Sequence, residues 1–144
     1  MILIDAGPLI AGIDRSDLAH AECARVLGTL PDEGLATWPV FAEAMHMLGR
    51  RKGRQGPRSR QQVLWAMLDA KDLHVLDMDQ PHIRRAKALM HKYREFPMDL
   101  CDASLVVVGE ALNIRRVFTL DRHFAAYRLN SKTPFEIVPD VRGD

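Results

Sequence analysis

Short apolar runs alternate with longer stretches of helical periodicity along the chain. Ile2–Ile4, Leu35–Trp38, Leu73–Leu76, Val117–Leu120 and Phe135–Val138 are mostly apolar and bounded by Gly, Pro or Asp, the pattern of short buried strands. Between them, Pro8 is placed to open a helix to Ile13, and Asp17 or Ser16 to cap a second through His20, Cys23, Ala24, Leu27 and Leu30. Pro31–Gly34 reads as a turn. Pro39 starts the helix PVFAEAMHMLGRR. A helix from about Ser59 to Ala70 carries Val63, Leu64, Met67 and Leu68 on one side. Another, N-capped by Asp79 and opened by Pro81, runs through Ile83, Ala86, Leu89, Met90 and Tyr93.

The stretch Pro97–Phe124 organises the rest. Asp99 sits where an N-cap belongs and Asp102 three residues on. Ala103–Leu112 is apolar almost all round, as suits a helix buried on several sides. Asn113-Ile114-Arg115 turns the chain into the strand Val117–Leu120, which ends on Asp121. Arg122–Arg128 reads as a short helix. Strands alternating with helices over short turns predict an α/β layer fold with a mainly parallel sheet flanked by helices. At 144 residues the chain is expected to form a single domain over 1–144.

Composition narrows the class. Hydrophobic residues at 47% and charged residues at 27% suit a globular protein, and no apolar run is long enough to span a membrane. The opening Met1-Ile2-Leu3-Ile4-Asp5 has no basic n-region, so no signal peptide is expected. Cys23 and Cys101, with no repeating spacing, read as buried thiols in a reducing, cytoplasmic setting. A net charge of +1 gives no global pull toward nucleic acid, so any such contact is local.

The candidate chemistry is carboxylate. Asp5 and Asp121 end strands, where ligands of open parallel sheets bind. Asp102 faces the same edge if its helix returns across the other face. Each Asp alone can be a helix cap or dipole partner. Glu43 is harder to dismiss: it is the only formally charged residue between Trp38 and Leu48, and a carboxylate buried on so apolar a helix needs a partner. Two carboxylates about 4 Å apart repel by roughly 4 kcal/mol at an effective dielectric near 20. Magnesium or manganese, hard ions that take oxygen ligands, offset that repulsion. Zinc fits less well, because no Cys or His pair stands at ligand spacing.

At these residues the sequence resembles the PIN-domain ribonucleases, and most of all the VapC-type toxins of toxin–antitoxin pairs. The matching pieces are ILIDAGPLIA, the VFAEAMHML helix, MDLCDASLVVVGEALN and RRVFTLDRHF, in order along the chain. The resemblance implies a PIN-like three-layer fold and a metal-dependent endoribonuclease, a hydrolase of phosphodiester bonds. It matches Asp5, Glu43, Asp102 and Asp121 to a catalytic quartet holding Mg2+ or Mn2+, with Thr119 and Asp99 as accessories. It also implies an RNA substrate, a cognate antitoxin and a homodimer. Two departures stand out. Ala6 and Gly7 replace the Thr and the Asn or Ser that commonly follow the first Asp, and His123 stands where many members carry a further Asp. His123 reads first as a helix-turn residue and second as a water or phosphate contact.

The run RRKGRQGPRSR (Arg50–Arg60) holds six cations and no acid. Arg50, Arg51, Lys52, Arg54 and Arg58 are its candidate RNA-backbone contacts, against the plainer reading of a solvated loop. LHVLDMD (Leu73–Asp79) lacks the later acids and lysine of an aspartyl-phosphate phosphatase. A phosphorylation receiver would need adjacent acids after an early strand, which are missing. The remaining rival is a PIN fold that binds RNA or protein without cutting.

Overall fold

The computed structural model describes residues 1–31 and 33–139. In chain order the elements are β1 (Ile2–Ile4), α1 (Ala6–Ile13), α2 (His20–Thr29), β2 (Gly34–Thr37), α3 (Trp38–Arg50), α4 (Pro57–Asp69), β3 (Leu73–Leu76), α5 (Gln80–Lys92), α6 (Leu100–Leu112) and β4 (Arg116–Phe118). A 3-10 turn over Arg122–Ala125, β5 (Arg128–Leu129), β6 (Thr133–Pro134) and β7 (Glu136–Val138) follow. Five strands form one parallel sheet in the order β3-β2-β1-β4-β7, with β5 and β6 a separate antiparallel ribbon. The chain steps from β1 outward to β3, then crosses back to β4. Right-handed crossovers therefore put α1 to α4 on one face of the sheet and α5 and α6 on the other.

Each helix start has a local cause. Asp5, Thr37, Asp79 and Asp99 supply side-chain caps for α1, α3, α5 and α6. Asn113 ends α6 in the left-handed region (φ 54°). The α6 residues from Cys101 to Gly109 are all buried, so this helix is packed on every side. At Gly109 an added Cβ would lie 2.9 Å from the Ile114 carbonyl oxygen and 3.2 Å from Leu3 Cδ1. Only glycine allows so close an approach to the Ile114 carbonyl. Farther along, Glu110 receives both arms of Arg85 (3.0 and 3.1 Å) and the Asn130 N–H (2.6 Å), joining α5, α6 and the ribbon.

Several expected details differ. Helix α1 begins at Ala6, not Pro8, because Asp5 itself caps it. No side chain caps α2: the Asp17 carboxylate accepts instead from the Ala19 N–H at 2.8 Å and from Arg51. On α4 the inner face is built on Arg60 and Leu64, which leaves Val63 exposed. Strand β4 stops at Phe118, so Asp121 lies beyond it as the cap of the 3-10 turn. Two-residue strands such as β5 and β6 carry no readable period. Asp32, within the expected Pro31–Gly34 turn, lies outside the described residues.

Candidate active site

Strands β1 and β4 lie side by side where the connections diverge, the place in an open parallel sheet where a crevice forms. Asp5 and Thr119 each follow directly on one of these strands. The Asp5 N–H donates to the Phe118 carbonyl at 2.9 Å, extending the ladder by one residue. Asp5 Oδ1 accepts from the Ala6 N–H at 2.8 Å, and Oδ2 accepts from the Thr119 hydroxyl at 2.8 Å. Thr119 Oγ1 in turn accepts from the Asp121 N–H at 3.0 Å. One buried hydroxyl thus joins the residues after two neighbouring strands. Asp121 Oδ1 then accepts from the His123 N–H at 2.9 Å and stands 2.7 Å from His123 Nδ1. His123 is accordingly a turn residue that also pairs with Asp121.

Asp102 arrives from the opposite face, in the first turn of α6. It and Asp99 form a reciprocal capping box: Asp99 Oδ1 accepts from the Asp102 N–H at 2.8 Å, and Asp102 Oδ2 from the Asp99 N–H at 3.1 Å. A buried hydroxyl pair fixes this turn against the start of α3. Thr37 Oγ1 lies 2.6 Å from Ser104 Oγ, and Ser104 donates to the Cys101 carbonyl at 2.7 Å.

Electrostatics bind these acids into one group. Burial raises Asp5 to about 6 against the hydrogen bonds from Thr119 and Ala6, with the charges of Asp99 and Asp121 adding to the rise. Burial also raises Asp102, to about 8; the Asp99 N–H opposes this, while the charges of Asp99, Asp5 and Asp121 reinforce it. Among the described residues no Lys or Arg forms an ion pair with Asp5, Asp99 or Asp102. Such a cluster carries the cost of its own repulsion.

Glu43 is exposed on α3, contrary to the buried carboxylate its apolar neighbours suggested. Val40, Phe41, Ala44 and Leu48 make the inward stripe of α3, and Glu43 lies off it. Its carboxylate still reaches the first turn of α6: the Cys101 thiol is pushed up by burial and then by a hydrogen bond and charge from Glu43. Glu43 therefore flanks Asp102 from the rim. Sequence reasoning missed Tyr127, wholly buried, whose hydroxyl donates to the Phe96 carbonyl at 2.9 Å. Burial raises Tyr127, and the charges of Asp102, Asp121 and Asp99 raise it further, so its ring walls the acids. Only its place three residues past Phe124, on one face of a helical turn, hinted at a core role.

The donor set is all oxygen, which suits a hard divalent cation. The raised pKa values of Asp5 and Asp102 point the same way, since a cation would relieve them. As they stand, however, no group of three or more His, Cys, Asp or Glu among the described residues is gathered closely enough to hold a metal ion. Of the cationic run, Arg51 is committed to Asp14 (3.1 Å) and Asp17 (2.5 Å), whereas Arg50, Lys52, Arg54 and Arg58 are exposed.

The fold and this edge of carboxylates define a PIN-type architecture, and the chain belongs to the PIN domain family, whose model matches residues 2–129. Ribonuclease VapC26 of Mycobacterium tuberculosis is 24% identical over 139 residues, covering 96% of this chain and all of the relative. In three dimensions the chain is similar to the crystal structure of M. tuberculosis VapC20, a Sarcin-Ricin loop cleaving toxin. That match has a TM-score of 0.78 and 19% identity, over 93% of this chain and 100% of the other. A toxin–antitoxin complex from Klebsiella pneumoniae matches with a TM-score of 0.64 and 17% identity, over 87% and 91% of the two chains.

Proposed function

We propose that this chain is a metal-dependent endoribonuclease and the toxin of a VapBC-type pair, acting in the cytoplasm and restrained by a cognate antitoxin. The observation that carries the reading is the convergence of Asp5, Asp102 and Asp121 on one sheet edge, where burial, and after it the charge of neighbouring acids, raises Asp5 and Asp102. The full-length similarity to a relative named as a ribonuclease supports the RNA substrate, and the similarity to a toxin–antitoxin complex supports the protein partner.

Asp5, Asp102 and Asp121 would hold Mg2+ or Mn2+, directly or through water, with Glu43 completing the set. When bound, such an ion supplies an activated water and polarises phosphoryl oxygens. The chain's own residues do the positioning. Thr119 fixes the rotamer of Asp5 and holds the Asp121 backbone. The capping box holds Asp102 at the mouth of α6, and Glu43 on the rim is placed to orient the attacking water. Asp5 and Asp102 are buried, so their charges act in less water than those of Asp121 and Glu43 at the rim. A homodimer is part of the same proposal.

A second reading, an RNA- or protein-binding module that does not cut, draws on one observation: the acids are not gathered at metal-holding spacing. The deciding experiment incubates a mixed RNA pool with purified protein in Mg2+ or Mn2+, with EDTA, and with Asp102→Asn. Cleavage lost in both controls establishes the nuclease. A folded, metal-saturated wild type that leaves every RNA intact favours the binding module.

A further inference from the structure

Arg60 is the largest fully buried side chain of the protein, and it is incompletely satisfied. Its Nε donates to the Leu48 carbonyl at 3.0 Å and its Nη2 to the Arg51 carbonyl, closing the corner between α3 and α4. Among the described residues its Nη1 has no hydrogen-bond partner. A buried guanidinium with an idle donor is costly, because charge and N–H are both withdrawn from water.

Arg60 also lines a cleft, together with Asp14, Arg15, Ser16, Gly53, Arg54 and Gln55. Asp14 is the natural counter-ion, yet both of its oxygens are engaged elsewhere. Oδ1 accepts from the Ser16 N–H (3.0 Å) and hydroxyl (2.7 Å), and Oδ2 accepts from Arg51 (3.1 Å). Gln55 braces the opposite wall, donating to the Ile13 carbonyl at 3.0 Å and accepting from the Arg15 N–H at 3.3 Å. Gly53 leaves the floor open. Its φ is +138°, and a Cβ there would stand 3.7 Å from Ser16 Oγ and 3.8 Å from Arg60 Nη1. The cleft therefore offers a buried guanidinium donor, a hydroxyl, two further exposed guanidiniums and a side-chain-free approach. Its one carboxylate, Asp14, shares the Arg51 guanidinium with Asp17.

We infer that this cleft is a binding site for a phosphate group, with Arg60 as its buried anchor and Arg15 and Arg54 closing over the anion. A tetrahedral oxyanion accepts from several guanidinium N–H groups at once and suits a fork of arginines better than a single ammonium. The cleft lies at the far end of α1 from Asp5, roughly 14 Å along the helix axis, so it is separate from the acid cluster. The phosphate can come from the solution or from the backbone of an RNA strand whose cleaved bond is elsewhere.

The test follows the arginine side-chain nitrogen signals of the full-length protein by NMR while inorganic phosphate replaces chloride at constant ionic strength. The Arg60 signals should shift saturably, and the exposed double variant Arg15→Gln/Arg54→Gln should weaken that response at least tenfold. No saturable shift at Arg60, or an identical titration in the double variant, overturns the site. A second arm adds a short RNA to Asp102→Asn protein and alone rests on the nuclease reading. If the backbone supplies the phosphate, RNA moves the same Arg60 signals, and the double variant lowers the salt slope of RNA binding by about 0.7 per lost contact. If Arg60 responds to inorganic phosphate only, the site serves free phosphate.

Discussion

The Thr119 hydroxyl donates to Asp5 Oδ2 at 2.8 Å, across 114 residues of sequence, and the same oxygen accepts the Asp121 N–H. One side chain thereby sets the orientation of two acids. Thr119→Val keeps the shape and removes the donor and acceptor. It is expected to cost about 1–3 kcal/mol of stability, the range for stranding buried polar groups. RNA cleavage should fall at least tenfold, with the metal midpoint moved to higher concentration. Denaturant unfolding and metal titration of the same preparation measure both effects.

Asp102→Asn gives a pH signature. The folded-state pKa of Asp102 is raised to about 8 and that of Asp5 to about 6. Through the window from about pH 4 to 8, the folded state of the metal-free protein holds protons that the unfolded state has released, so stability falls as pH rises. The substituted carboxamide cannot ionise and still offers an oxygen to the Asp99 N–H. The variant's melting temperature should therefore gain on wild type progressively up to about pH 8. A constant difference across that range would remove the electrostatic account.

Metal should reverse that penalty. Manganese or magnesium added at pH 8 is expected to raise the wild-type melting temperature, EDTA to return it, and Asp102→Asn to respond far less. Thermal scans at several metal concentrations are sufficient, without any RNA present.

The capping box separates two duties of Asp99. Asp99→Asn retains a side-chain acceptor for the Asp102 N–H and removes a charge. Asp99→Ala loses the cap and should cost about 1 kcal/mol. Stability near wild type in the Asn variant, with altered metal affinity, would mark Asp99 as an electrostatic contributor. Wild-type stability and unchanged metal affinity in the Asn variant would leave it only a cap.

The hydroxyl pair between Thr37 and Ser104 is a purely structural test. Thr37→Val and Ser104→Ala should each destabilise by about 1–3 kcal/mol, and the double variant by less than the sum, because the first loss already strands the partner.

Asp5, Asp99, Asp102 and Asp121 could be read from the sequence because each stands at the end of an element, where local pattern fixes its place. The parallel sheet was legible for a similar reason, in the regular alternation of apolar runs with helical periods. Thr37 with Ser104, and Tyr127 beside Asp102, were not legible, since those contacts exist only after distant segments pack. Glu43 misled: the apolar composition of its helix suggested burial, but helical phase decides which face is covered, and Glu43 falls outside the covered stripe. Arg60 misled in the opposite sense. Among six cations it looked like surface, and it is buried as the corner of the α3–α4 hairpin.

Gly109 lies seven residues beyond Asp102, about two turns of helix, and so on much the same side of α6. Its missing methyl lets the helix sit close under the Ile114 carbonyl and against Leu3, two residues before Asp5. The separation between the two carboxylates is thus set by a contact that neither of them touches. A change as small as Gly109→Ala would lift the helix and carry Asp102 with it, leaving a protein with every acid present and the distances between them wrong. An inventory of acidic residues could not tell such a variant from a working protein.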